Sequence, residues 1–473
     1  MMSPLRAKPL IWQIALVVSI VLLVITEIRT SALQESLAKV KSSVFEAASH
    51  GKAENGKAED EPPQPERPHP KYKPSPSYSP PPITDPFPAL ATSNPPPIPA
   101  YNVLEKDGWK KYGLPVAPPL LIGFTRSWPM LLQTVVSYIT AGWPPEQIYV
   151  IENTGMQQAN ARHQLTLQHP WFLNHTTLGR LGVKIVQTPV LLSFAQLQNF
   201  YLSLSYTHKW PYYFWSHMDV LALGYENGME DVTPPASDPG YKSLYTLCLE
   251  ELNHTLATDD RWGLRFFSYD HLTLQNPLAL EDIGGWDTLI PYYMTDCDAY
   301  PRLEMRKWSQ KTARCGIITD TSSVLDDLMA LYRDPSIIPK FTDPNPPAPS
   351  PTPEEHKESP RSKSAELDMT TRDEGDVNLK DPIEYWKALE RVADSMFHYK
   401  HGERGRNTWQ SGQHGGQGEP FYYDSAGFTE ALEILTQAGK DVFRRKWGHA
   451  DCDLIAGAGV GFDDQWRVLE KSD

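Results

Sequence analysis

Cysteine is scarce: four residues in 473, at Cys248, Cys297, Cys315 and Cys452. Four so scattered do not make a disulfide scaffold, and one or two bridges in an oxidising compartment are the most they support. The absence of any CxxC or Cys/His cluster removes a structural zinc site. Basic charge is short as well, with 44 Lys and Arg against 58 Asp and Glu, a formal charge of −14 and a pI near 5.5. A nucleic-acid surface needs a basic patch, and this balance argues against one. It does not exclude a bound nucleotide, because a metal ion can bridge acidic side chains to phosphates. No G-x-S-x-G elbow or nucleophile–base pair stands out, which counts against a tethered hydrolase. The late run GAGVGF, Gly457 to Phe462, follows no strand and carries no dinucleotide role.

Proline, by contrast, is plentiful. Most of its 44 residues fall in two stretches that cannot build a core, while the rest of the chain is rich in Trp, Tyr and Leu. At the amino end, Leu10 to Ile25 reads LIWQIALVVSIVLLVI, with only Gln13 and Ser19 polar. Pro9 and Thr26 extend it to the length of a spanning helix. Arg6 and Lys8 precede it and Glu27 and Arg29 follow, so the positive-inside rule leaves the amino terminus cytosolic and the bulk of the chain lumenal. A signal peptide cleaved near Thr30-Ser31-Ala32 is the rival reading. The expected organisation starts with a cytosolic tail at 1–9, a transmembrane signal-anchor at 10–26 and a proline-rich disordered stem at 27–100. A core at 101–342 follows, then a disordered insertion at 343–380 and the carboxyl-terminal part of the same domain at 381–473. Sequons at Asn174 and Asn253, each followed by His-Thr, suit a lumenal chain.

Between stem and insertion, strands and helices alternate. PLLIGF (119–124) is a short apolar run that predicts a buried strand, and IYVI (148–151) and residues 183–186 predict a second and a third. Ser127 is placed to cap a helix through Ala141, with Leu131, Leu132, Val135, Val136 and Ile139 on one face. A helix with Ala159, Leu165 and Leu167 follows the second strand, and another runs from Phe194 to about Ser205. A fourth strand, YYFWSHMDV from Tyr212, delivers His217 and Asp219 at its end. Four strands separated by helices predict an α/β fold with a parallel sheet and right-handed crossovers. Such sheets bind ligands beyond the carboxyl ends of their strands, where a carboxylate can hold a hard divalent cation against a phosphate. Residues 262–269 read as a further strand, and helical stretches follow Pro382.

An anchored α/β domain with an Asp-ended fourth strand resembles the GT-A-type nucleotide-sugar glycosyltransferases, in a fungal-type, type II membrane-anchored form. Gly284-Gly285-Trp286-Asp287, then Asp296-Cys297-Asp298 and Arg302-Leu303, extend the likeness over roughly residues 119 to 303. The resemblance implies a Rossmann-like, mostly parallel sheet flanked by helices. It implies transfer of a hexosyl group from a nucleotide-diphosphate sugar to a glycan or glycoprotein acceptor at the Golgi membrane, the endoplasmic reticulum being the other compartment. Inversion is the expected course, with retention left open. Asp219 would hold Mn2+ or Mg2+, and His401 would complete the shell, with His398 and His449 as competitors. His217 replaces the family's usual first Asp; it reads as a ligand for a borderline metal, a donor to ribose or phosphate, or a satisfied strand-end histidine.

The remaining roles follow from the same likeness. Thr125 and Arg126, and Glu152 and Asn153, fall where the family holds the nucleoside, and Gln198-Asn199 lies on the donor-facing helix. Gly284 and Gly285 would let the backbone approach the sugar, with Trp286 stacking on it and Asp287 binding a hydroxyl; the alternative is a tight turn around a buried Trp. Asp296 is the expected base and Asp298 the second choice, although both could instead cap the helix that follows. The competing function, suggested by His217, is a catalytically inactive GT-A-like domain that binds glycans or scaffolds.

Overall fold

The computed structural model describes residues 70–72, 74, 82–342, 378–402 and 424–469, and the elements that follow belong to the unit Tyr78–Asp473. The expected anchor, most of the expected stem and most of the insertion lie outside the described residues. Among the described residues no helix is long and apolar enough to cross a membrane.

The first apolar runs become parallel strands β1 (Leu120–Phe124), β2 (Ile148–Glu152) and β3 (Lys184–Gln187), and β4 (Tyr213–Ser216) joins β1 on its other side. Helices α1 (Trp128–Thr140), α2 (Gln157–Ala161), α3 (His175–Leu181) and α4 (Phe194–His208) lie between them in the chain. β1 and β4 are buried almost throughout, as parallel strands covered on both faces must be. The run from Tyr212 is not one strand. It breaks at His217-Met218-Asp219, and β5 (Val220–Leu223) starts a second, two-stranded sheet. The break is held by α1, which is buried all round: Thr134 Oγ1 bonds Met218 O at 2.7 Å and accepts from Val220 N, while Ser137 Oγ accepts from Ala222 N.

After α5 (Leu244–Thr258) the main sheet turns antiparallel. β6 (Trp262–Phe266) and β7 (Leu272–Gln275) form a hairpin beside β4, and β8 (Ser309–Thr312) runs parallel to β6. The seven strands lie in the order β3-β2-β1-β4-β7-β6-β8. β9 (Ile317–Asp320) pairs antiparallel with β5, opposing Val220 to Asp320. Helices α6 (Pro277–Asp282) and α7 (Thr295–Met305) fall between β7 and β8, and α8 (Pro382–His401) and α9 (Ser425–Trp447) complete the unit. The fold is an α/β sheet, mostly parallel in its first half, with flanking helices.

Local departures have local causes. Ser127 does not cap α1; it sits at φ +71° with its N–H given to Pro170 O, so its side chain is not aimed at the helix. α2 ends at Ala161, and Leu165 and Leu167 lie in the loop beyond it. Asn160 organises that loop by bonding Leu173 N and Trp171 O. Phe87 and Leu90, inside the segment expected as stem, are buried in the main core, carried there by the short 3-10 turn Pro88–Ala91 that Pro88 opens. A disulfide joins Cys297 in α7 to Cys452, and Cys248 and Cys315 are buried free thiols.

Candidate functional site

Backbone bonds fix the His217-Met218-Asp219 connection from both sides: His217 N donates to His271 O at 3.1 Å, and Thr321 N donates to Asp219 O at 2.8 Å. The pairing of β5 with β9 brings Asp219 and Asp320 together. Lys400, on the last turn of α8, sits between them. Its Nζ donates to Asp219 Oδ2 at 2.8 Å, to Asp320 Oδ1 at 2.5 Å and to Thr321 O at 3.1 Å, and the residue is 1% exposed. Burial disfavours the ammonium, but the two carboxylates outweigh it and raise Lys400 above its ordinary value. Burial likewise opposes the charge on Asp219, yet Lys400 and His217 hold it far below the usual carboxylate range.

Three imidazoles border this triad. His217 Nδ1 is 3.7 Å from Asp219 and its Nε2 is 3.9 Å from Asp270; these are ion-pair distances, longer than hydrogen bonds. His271 Nε2 is 3.7 Å from Asp320, and His401 Nε2 hydrogen-bonds Asp320 Oδ2 at 3.0 Å. Burial works against a charge on His217, but Asp219 and Asp270, with Asp320 beyond, raise its pKa. Burial and the neighbouring His217 push His271 down to about 4. Trp215 stacks on His217 at 5.8 Å between ring centres.

Asp270, His271, Asp320 and Lys400 went unseen in the sequence. Asp320 ends an apolar run, IITD, and so carried the same signal as Asp219. Lys400 carried none, because a lysine near the end of an amphipathic helix reads as its solvent side. His401, expected beside Asp219, contacts Asp320; His398 is exposed, and His449 pairs with Asp453.

Asp296 opens α7, is partly exposed and accepts from the Tyr269 hydroxyl at 2.7 Å. The Asp270 carboxylate faces His217, and Tyr269, its neighbour in the chain, bonds Asp296, so the contacts Asp219–His217–Asp270 and Tyr269–Asp296 meet at the 269–270 peptide. Asp298 stands differently. It is fully buried, with Oδ2 taking Arg302 Nε at 2.9 Å and Nη2 at 2.6 Å, and Oδ1 taking Lys446 Nζ at 2.6 Å and Trp447 Nε1 at 3.0 Å. Both oxygens are engaged and no acceptor hydroxyl reaches them, so the second-choice base is a structural carboxylate joining α7 to α9.

The Gly284–Asp287 turn is likewise internal. Trp286 is 3% exposed and packs edge-on against Phe194 and Tyr300, so it offers no stacking face to a sugar. Asn199, expected to face a donor, clamps the turn instead: it donates to Trp286 O and accepts from Trp286 N, both at 2.8 Å. Gly284 and Gly285 have φ of +79° and +77°, and a Cβ on Gly285 would lie 2.6 Å from Asn199 Oδ1. Gly285 therefore serves the clamp, and Gly284 the left-handed turn before it. Asp287 accepts from Lys446 at 2.7 Å and from Leu289 N at 2.9 Å.

Thr125 and Arg126 follow β1, and Glu152 and Asn153 lie at the end of β2, all on the carboxyl side of the parallel strands. Thr125 is half-buried, and the Arg126 guanidinium lies 4.1 Å over the Phe428 ring. Glu152 is enclosed by Asn160 and Gln187, each donating at 2.9 Å, and by His175 at 3.0 Å. Asn153 is bonded in both directions to the Leu192 backbone. Of the sequon residues, Asn174 caps α3 through Thr177 N and Asn253 is exposed on α5.

A divalent cation on Asp219 must meet its oxygens at about 2.0–2.6 Å. One oxygen already accepts from Lys400 and the other faces His217. A dication there would lie roughly 4 Å from the ammonium, a repulsion of about 8 kcal/mol at an effective dielectric of about 20. As arranged, these residues do not fit a metal. Among the described residues a group that brings ligand atoms together is His449, Asp451 and Asp453, whose atoms lie within 4.8 Å of one another beside Cys452; both carboxylates are exposed.

No family model matches the sequence, and no curated protein does. Solved structures are similar to it only distantly. One is a mannosyltransferase from Pyrobaculum calidifontis in complex with GDP-Man and Mn2+, at 13% identity and TM-score 0.27, covering 44% of this chain and 60% of that one. Another is a cytidylyltransferase from Leptospira borgpetersenii, at 11% identity and TM-score 0.26, covering 46% of this chain and 86% of that one. The chain thus spans less than two thirds of the mannosyltransferase's length.

Proposed function

We propose that this protein is a glycosyltransferase that passes a sugar from a nucleotide-diphosphate donor to a glycan or glycoprotein acceptor. The observation that carries the reading is that the contacts of Asp219, where β4 gives way to β5, and of Asp296, at the start of α7, end on adjacent residues, Asp270 and Tyr269. On this reading Asp296 takes the proton of the acceptor hydroxyl as its oxygen bonds the anomeric carbon. The bond from that carbon to the diphosphate breaks on the opposite face, which is inversion. Thr125 and Arg126 border the nucleoside side and His217 the diphosphate, while Glu152 and Asn153, expected there too, are buried and engaged within the protein. The divalent ion that the sequence resemblance implies, Mn2+ or Mg2+, does not fit the Asp219 corner as arranged, and no step is assigned to it.

A lumenal, type II arrangement at the Golgi membrane belongs to the same proposal. The Cys297–Cys452 bridge supports an oxidising compartment, as do the sequons. A second reading, an inactive glycan-binding or scaffold domain, is favoured by one observation: both carboxylates at the Asp219 corner are already occupied by Lys400. The test is transfer and hydrolysis across a panel of nucleotide sugars, with and without Mn2+, for the full chain. Activity lost in Asp296→Asn and Asp219→Ala supports the transferase. A full chain that binds no nucleotide in either condition refutes it.

A further inference from the structure

The corner around Asp219 has the charge pattern of a cation site with an ammonium already in place. Lys400 uses all three of its N–H donors, on Asp219, Asp320 and Thr321 O, so it has no reason to leave and no donor to spare. It comes from α8, 181 residues along the chain, and its side chain is 1% exposed. A flexible surface lysine would not be held this way; this one is walled in by β5, β9 and its own helix.

We propose that Lys400 is a resident cation that replaces the divalent ion, so that the site binds a nucleoside diphosphate without metal. This rests on the transferase reading. It also gives His217 a chemical reason. At that position a carboxylate or an imidazole could add a ligand to a metal. Without a metal, a carboxylate there would repel the diphosphate, whereas an imidazole can donate to it. Among the described residues the buried His217 Nε2 has no hydrogen-bond partner and stands 3.9 Å from Asp270, with its ring backed by Trp215. Its Nδ1 faces Asp219, so the ring is oriented by the same carboxylate that Lys400 neutralises. His401 faces Asp320 in the same way. The two carboxylates thus position one ammonium and two imidazoles, and the donor left over, His217 Nε2–H, is the one suited to a phosphate oxygen.

Two measurements on the full chain decide it. The first is binding of UDP, GDP and CDP in EDTA and then in excess Mn2+. The second is Mn2+ binding alone, read by electron paramagnetic resonance, for the wild type and for Asp219→Asn, so that any ion at His449, Asp451 and Asp453 cancels in the difference. The expected results are nucleotide affinity unchanged by EDTA and no Mn2+ that depends on Asp219. Lys400→Ala should weaken nucleotide binding in EDTA by about tenfold or more and recover it with Mn2+, while Lys400→Arg keeps metal-free binding. The proposal is overturned if the wild type binds nucleotide only with Mn2+, or binds Mn2+ in a way that Asp219→Asn abolishes. Failure to bind any nucleotide under either condition refutes the transferase reading instead, and the Mn2+ difference still decides the role of Lys400 as the occupant of the cation site. Both wild-type arms stand even if the alanine variant does not fold.

Discussion

Asp296 and Asp298 are two residues apart and chemically identical, yet the structure assigns them opposite work, and substituting each to Asn separates the two. Asp298 accepts from Arg302 through two nitrogens, from Lys446 and from Trp447 in a fully buried setting. Asn at that position keeps the shape but removes the charge, leaving Arg302 to the carbonyls of Ile283 and Gly285 and Lys446 to Asp287. Breaking a buried ion pair from one side costs about 3–5 kcal/mol. Unfolding entropy is roughly 2 cal/mol/K per residue, so a unit of roughly 330 described residues should melt about 4–7 °C lower. Asp296 is partly exposed and Asn can still accept from Tyr269, so Asp296→Asn should cost about 1 kcal/mol or less. Urea unfolding followed by far-ultraviolet circular dichroism gives both values, and nucleotide-sugar turnover on the same samples gives the activities. The expected pattern is Asp298→Asn unstable but retaining turnover at low temperature, and Asp296→Asn stable but inactive. Equal stability of the two variants, or loss of turnover in a well-folded Asp298→Asn, would refute the division.

Two further outcomes test the frame around the site. Cys452→Ser opens a bridge with a sequence separation of 155, and loop-closure entropy alone puts the loss at about 5 kcal/mol, so its urea midpoint should fall well below that of the wild type. A midpoint unchanged within error would show that the bridge constrains nothing in the unfolded chain. His271 concerns pH: its folded pKa of about 4 lies below the ordinary imidazole value of 6.5. The unfolded chain therefore binds the extra proton first, and stability should fall as the pH drops from about 6.5 towards 4, by up to about 3 kcal/mol from this residue. His271→Phe should flatten that part of the stability–pH curve, whereas an unchanged slope assigns the loss to other groups.

The strands and long helices were legible because their signals are local. An apolar run of four or five residues between polar ends, or apolar positions at helical spacing, needs no distant partner to be recognised, and β1, β2, β3, α4, α8 and α9 were all read that way. The carboxylate at Asp219 was legible for the same reason, since a strand ending in Asp is a feature of consecutive residues. Asp320 bears the same mark at the end of IITD.

What only the tertiary structure decided is which side chains share one small volume. The sequence by itself determined an acidic, proline-flanked α/β chain with a carboxylate in the region where such sheets bind ligands. It could not tell that Lys400 reaches back 181 residues to that carboxylate. Nor could it tell that Trp286 faces inward, that Asp298 is sealed while Asp296 is open, or that Cys297 meets Cys452. Each of these is a matter of burial and pairing between distant segments. A lysine, tryptophan or aspartate has the same local pattern whether it faces solvent or core, and the difference arises when the helices close over the sheet.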